Sequence, residues 1–240
     1  MGLDVRLRLA RLYLCTDTRA EQGDLADFLA AAFAGGVDIV QIREKGLSAE
    51  DELAALEVAR QAAAAHHGIV CVLGSPELAG RFSADMLHLG QADPKAAKAR
   101  RSLHQWAIVG RSTHSERQLD RTLGDRDVDY FSVGPVYATS TAPDYPPVGL
   151  GLVRYAAQAA PVYTLESKPW FAIGGITMDN IDDVIAAGAR RVCVVRAITD
   201  APDPAEAARQ LKARLAEAWR SDPAAEAYTF RASAGAGLGR

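Results

Sequence analysis

No stretch of this 240-residue chain approaches the ~18 consecutive apolar residues of a membrane-spanning helix, so no such span is expected. The N-terminal MGLDVRLRLARLYL lacks the apolar core and cleavage site of a secretory leader, which points to a cytoplasmic protein. Cysteine is scarce. Cys15, Cys71 and Cys193 are odd in number, far apart and each set in an apolar run, which excludes a disulfide framework and a thiolate metal cluster and leaves buried thiols in a reducing compartment. An excess of positive charge is also missing: 27 Lys and Arg stand against 30 Asp and Glu, a net charge of -3, with none of the basic striping of a nucleic-acid binder. No two of the five histidines have metal-ligand spacing.

What is present is ordinary globular material, 49% hydrophobic, arranged in recurring β-rich runs. They are RLYLCT (11–16), VDIVQIR (37–43), IVCVL (69–73), MLHLG (86–90), WAIVG (106–110), YFSVG (130–134), WFAIG (170–174) and RVCVV (191–195). Helical signals lie between them. Leu25, Phe28, Leu29, Ala32 and Phe33 recur at helical spacing and Gly35-Gly36 closes that helix. Ser48 is placed to cap the next, Ser75-Pro76 and Asp93-Pro94 read as N-cap followed by Pro, and Ser115 with Gln118 reads as a capping box. Thr177 caps a later helix that Gly188 ends, and a last helix from about 203 carries Ala208, Leu211, Leu215 and Trp219 on one face. Eight strand–helix units in this length define the expected fold, an α/β protein with a single (β/α)8 TIM barrel over residues 1–220. An open doubly wound sheet is the alternative, but CTDTRAEQG after the first run contains no dinucleotide fingerprint. Residues 221–240, ending RASAGAGLGR, are expected to form a flexible tail, and the Gly-Ala-Gly-Leu-Gly within it follows no strand and has no phosphate-binding role.

A barrel of this kind carries its chemistry at the C-terminal ends of its strands. The second run ends in QIREK, where Gln41, Arg43 and Lys45 alternate by two and share one face if the strand continues. An inward Arg and Lys need an anion, and phosphate oxygens suit both; a surface ion pair with Glu44 is the plain alternative. Gly174-Gly175, between an apolar strand and a helix, occupy a common phosphate position of such barrels, or else form a tight turn. Asp93 is a helix cap or a Mg²⁺ ligand for a pyrophosphate. His114 is an acid or base or simply the start of a helix, His88 a satisfied core histidine, and Ser112 with His114 lacks the further partner of a nucleophilic triad.

Together GGVDIVQIREK (35–45), LHLGQAD (87–93), GRSTHS (110–115), DYFSVGPVYATST (129–141), PVGLGL (147–152), FAIGGI (171–176) and VVRAI (194–198) make the chain resemble the thiamine-phosphate synthase family over roughly residues 11–216. The resemblance implies a (β/α)8 transferase of thiamine biosynthesis. Such an enzyme couples hydroxymethylpyrimidine pyrophosphate to thiazole phosphate and releases pyrophosphate by a dissociative mechanism. It implies that Arg43, Lys45 and Ser112 serve the reaction, that Gln41 orients the aminopyrimidine, that Ile42 and Glu44 bind substrate, and that Thr139, Ser140, Thr141, Gly175, Val195 and Arg196 hold the thiazole phosphate. Asp93 would bind Mg²⁺. The partners would be these small molecules, and a homo-oligomer is compatible with this reading. Two positions depart from the family. Leu73-Gly74 stands where it usually carries Asn-Asp, and Thr139-Ser140-Thr141-Ala142 where it reads Thr-Pro-Thr-Lys, so a metal-binding Asp and a pyrophosphate-binding Lys are replaced; Lys95, Lys98 and Arg196 are the candidate substitutes. Two other readings therefore stay open: a thiazole tautomerase-like isomerase using His114, and a non-catalytic relative that binds a phosphorylated ligand.

Overall fold

The computed structural model describes residues 1–235. Eight parallel strands close into a barrel in chain order, with the eighth bonded back to the first, which excludes the open sheet. The strands are β1 (Leu12–Thr16), β2 (Ile39–Ile42), β3 (Ile69–Leu73), β4 (Met86–Leu89), β5 (Ile108–Thr113), β6 (Tyr130–Val133), β7 (Trp170–Ile173) and β8 (Val192–Val194). The helices are α1 (Leu3–Leu9), α2 (Leu25–Ala34), α3 (Ala49–Ala64), α4 (Pro76–Phe82), α5 (Ala96–Ala99), α6 (Glu116–Gly124), α7 (Gly149–Ala159), α8 (Ile181–Ala186), α9 (Arg196–Thr199), α10 (Pro204–Arg220) and α11 (Ala225–Ser233). None of them is long and apolar enough to cross a membrane.

Alternation along each strand sorts its residues into two cores. Leu12, Leu14, Val40, Ile42, Val72, Leu87 and Val109 face the helices. Tyr13, Cys15, Ile39, Ile69, Cys71, Met86, Ile108, Tyr130, Phe171 and Cys193 fill the barrel, where Leu7 and Ala10 of the N-terminal segment join them. Strands buried on both sides in this way need apolar residues at every position, which is why the runs read as continuous rather than alternating. All three thiols are free and buried.

Local capping follows the sequence at most helices. Ser48 accepts from Asp51 N at 3.1 Å, Ser75 from Leu78 N at 3.1 Å with Pro76 behind it, and Ser115 from Gln118 N at 3.3 Å. Gly188, at φ +109°, follows α8 as expected. Two expected caps are corrected. Asn180, not Thr177, precedes α8, and Thr177 sits in a turn before it, with its hydroxyl accepting from Asp179 N at 3.3 Å. Asp93 caps no helix: α5 begins only at Ala96, and the Asp93 carboxylate instead folds back to accept from Gly90 N at 2.7 Å.

The expected tail is also corrected. From Ala225 the chain forms α11, whose Tyr228 and Ala232 are buried with Leu165 and Trp219. The ring of Tyr228 packs edge-on against those of Trp219 and Tyr163, and its hydroxyl accepts from the fully buried Arg191 at 3.3 Å. The small residues after 230 drew attention away from the aromatic anchors just before them. Residues 236–240, with most of the Gly-Ala-Gly-Leu-Gly stretch, lie outside the described residues. Replacing Tyr228 by Ala should cost about 3–5 kcal/mol, as other emptied aromatic sites do. Urea unfolding checks this, and an unchanged midpoint would mean that α11 is not docked.

Candidate active site

A cavity of about 470 Å³ opens at the C-terminal ends of the strands. Arg43 and Arg196 line it, and among the described residues no Asp or Glu does. Among the described residues neither guanidinium has a hydrogen bond or ion pair. Two uncompensated cations in a concave, largely apolar space favour an anionic ligand.

The structure brings together part of the set expected from sequence. Gln41, Arg43, Ser112, Thr139, Thr141, Gly175, Val195 and Arg196 all line the cavity. Lys45 does not: β2 stops at Ile42, Gly46 turns the chain at φ +83°, and Lys45 is exposed outside the walls. Ile42 points into the helix layer. Glu44 accepts from the amide and hydroxyl of Thr18, at 2.9 and 2.5 Å, which holds its carboxyl below the usual range and ties the first two strand-end loops together. It therefore forms neither the surface pair expected with its basic neighbours nor a wall of the cavity. Ser140 is exposed and outside the walls, as are Lys95 and Lys98, so Arg196 alone of the three candidate substitutes reaches the site.

One corner is built around Gly174-Gly175. Both have positive φ, +106° and +65°. A Cβ on Gly174 would sit 2.4 Å from the Pro135 backbone and one on Gly175 2.8 Å from Cβ of Tyr137, so only glycine lets the β7 loop lie against the β6 loop. Asn180 Nδ2 donates to the Gly175 carbonyl at 2.9 Å, whereas the Gly175 amide donates to nothing among the described residues. Orphan amides of this kind need an acceptor, and a phosphate oxygen is one.

The floor joins Gln41, Ser112 and His88 to two residues that strand-end reading missed, Tyr13 and Tyr130. Tyr13 Oη lies 2.8 Å from Gln41 Oε1 and 3.5 Å from Tyr130 Oη, Tyr130 Oη lies 2.7 Å from His88 Nδ1, and His88 Nε2 lies 2.8 Å from Ser112 Oγ. The signal was available in register: all five share the inward parity of their strands. His88 is the satisfied histidine expected of it. Burial, then Arg111 and His114, push its pKa down to about 4, so the ring is neutral at pH 7. His114 lies higher, at the rim. Its Nδ1 is 2.6 Å from the Gly134 carbonyl, which only accepts, so Nδ1 is the donor there, and Nε2 has no partner among the described residues. Its ring stacks on Tyr145 at 4.5 Å.

Asp93 is the carboxylate considered for Mg²⁺. It is half-buried beside the cavity, next to the lining residue Gly90, and its Oδ1 has no hydrogen-bond partner among the described residues. Gly74 lies against it: a Cβ there would come 3.3 Å from Asp93 Oδ2, and φ is +75°. No group of three acidic, His or Cys residues forms a metal cage among the described residues. One carboxylate oxygen fits Mg²⁺ only when substrate oxygens and water complete the shell, the usual manner of this ion with phosphates.

Fold and cavity together define a (β/α)8 barrel whose strand-end cavity carries two arginines and a glycine-built corner after β7. Residues 12–198 match the model of the thiamine monophosphate synthase family, and the chain belongs to that family. It is 51% identical over 209 residues to a thiamine-phosphate synthase of Acidothermus cellulolyticus, covering 87% of this chain and 96% of the relative. It is 52% identical over 213 residues to one of Thermobifida fusca, covering 89% and 95%. Among solved structures, thiamine phosphate pyrophosphorylase from Pyrococcus furiosus superposes with a TM-score of 0.77 at 25% identity, covering 89% of this chain and 98% of that one.

The neutral buried imidazole has a consequence for stability. An unfolded histidine titrates near 6.5 and His88 near 4, so below about 6.5 the unfolded state binds the extra proton. The stability from keeping His88 neutral is complete above pH 6.5 and is lost as pH falls towards 4, in total about 3 kcal/mol. Urea midpoints measured across this range should show the decline, and His88→Asn should flatten it; equal slopes in the two proteins would contradict the assignment.

Proposed function

We propose that this protein joins hydroxymethylpyrimidine pyrophosphate to thiazole phosphate, yielding thiamine phosphate and pyrophosphate. Family membership supports the reaction, and the observation that carries it to this site is the pair of unpaired guanidiniums in a cavity without carboxylates. In a dissociative reaction the carbon–oxygen bond to pyrophosphate breaks first, leaving a carbocation stabilised by the aminopyrimidine, which the thiazole nitrogen then attacks. The protein's part is to stabilise charge on the leaving group and to hold the two rings in line. Arg43 is placed to meet the pyrophosphate and Gln41 and Ser112 the pyrimidine end. Thr139, Thr141, Gly175 and Arg196 surround the corner suited to the thiazole phosphate. Mg²⁺ held by Asp93 and substrate oxygens would neutralise part of the pyrophosphate charge. Free buried thiols accord with a cytoplasmic location.

The departures at Gly74 and Ala142 both fall on the pyrophosphate side. Ala142 lines the cavity without supplying a charge. A second reading, isomerisation of a thiazole phosphate, draws on one observation: His114 lines the same cavity with Nδ1 held by the Gly134 carbonyl and Nε2 without a partner among the described residues.

The test is thiamine phosphate formation by purified protein from the two phosphorylated precursors across a Mg²⁺ titration. Metal-dependent product is expected, and none from folded protein at any Mg²⁺ concentration would overturn the proposal. Arg43→Ala should lower kcat/KM by about 10²–10³, the scale of one lost charge-stabilising donor. Ala142→Lys, which adds a cation at the wall, should raise it; unchanged rates in both variants would remove the pyrophosphate from this side of the cavity.

A further inference from the structure

We propose that Tyr130 and His88 are positioning residues that fix the proton order of the floor's hydrogen-bond chain, so that both of its ends present donors to the cavity: the Gln41 amide N–H groups and the Ser112 hydroxyl proton.

A neutral imidazole has one N–H, and both ring nitrogens of His88 have short partners, Tyr130 Oη at 2.7 Å and Ser112 Oγ at 2.8 Å. Two orders are possible. In the first, Tyr130 donates to Nδ1 and Nε2–H donates to Ser112. In the second, Nδ1–H donates to Tyr130 and Ser112 donates to Nε2. They differ in where the Tyr130 proton goes. The first order gives it the 2.7 Å acceptor. The second leaves it only Tyr13 Oη at 3.5 Å or Cys71 Sγ at 3.9 Å. Burial raises both tyrosines well above their ordinary pKa, so both keep their protons. A fully buried hydroxyl without a good acceptor is costly, and the first order avoids that cost.

The same reasoning settles the other end. Tyr13 is buried and its one short acceptor is Gln41 at 2.8 Å, so Oε1 is occupied and Nε2 is the atom left for the cavity. Ser112, accepting from His88, has its own proton free. Gln41 on β2 and Ser112 on β5 therefore act as two donors across the mouth. They select a ligand with two acceptors: an unprotonated ring nitrogen or an anionic oxygen at each place. Identifying those acceptors with a pyrimidine pyrophosphate rests on the function proposed above; the proton order does not. Tyr130 itself is held over Gly110, where a Cβ would lie 2.1 Å from its ring, so its hydroxyl has little freedom to turn to another partner.

Long-range proton–nitrogen spectra of protein labelled with ¹⁵N-histidine report the tautomer directly, with the His88 signals identified by their loss in His88→Asn. The wild type at pH 7 should show His88 protonated on Nε2. Tyr130→Phe, which keeps the ring and removes the donor, should shift the population towards the Nδ1–H form, and Tyr13→Phe should not. Its kcat/KM for coupling should fall about tenfold, as for one misdirected hydrogen bond. His88 protonated on Nδ1 in the wild type, or an unchanged tautomer in Tyr130→Phe, would overturn the proposal. The spectra decide it whether or not the protein turns over, so absent coupling activity bears only on the reaction proposed above.

Discussion

Closure of the sheet is the constraint on which the rest depends. Once the last strand bonds the first, every strand has an inside and an outside, and each residue is assigned to one by parity alone. The outward set seals against the helices and supplies the hydrophobic burial. The inward set fills the barrel from Leu7 and Ala10 at one end to Gln41, His88 and Ser112 near the other. The polar residues near the mouth are tolerable there because each finds partners within the barrel or opens to the cavity, which is the condition for keeping polar groups buried.

The site is lopsided. The glycine corner after β7 is over-determined: two glycines at positive φ, a neighbouring loop packed against them, and a carbonyl tied back by Asn180. Across the barrel stand Arg43 after β2 and Asp93 after β4, with Gly74 against the carboxylate. Gly74 is not a neutral gap. Its positive φ and the Asp93 carboxylate 3.3 Å from a would-be Cβ mean that a side chain restored there would strain the turn or displace the carboxylate. Ala142 carries no such constraint from φ.

The strands were legible because parallel strands covered on both faces demand uninterrupted β-branched and aromatic runs, and each of the eight runs became a strand. Capping was legible where one hydroxyl faces one amide, as at Ser48, Ser75 and Ser115. It failed at Asp93, where the Asp-Pro pattern says nothing of Gly90 waiting on the other side. Lys45 was misplaced by three residues of strand that do not exist, since parity holds only while the strand does. The helix α1 and the docking of α11 were not visible, because both are decided by the barrel's far end. Tyr13 and Tyr130 are core aromatics, and only the register shows that their hydroxyls lie together.

The proposed reaction requires one cavity to hold two phosphorylated groups on unequal terms. Calorimetric titration of thiazole phosphate and of inorganic pyrophosphate, each with and without Mg²⁺, measures both. Thiazole phosphate should bind without metal and pyrophosphate appreciably only with it. Tight metal-free pyrophosphate binding, or no thiazole phosphate binding at all, would contradict the proposal.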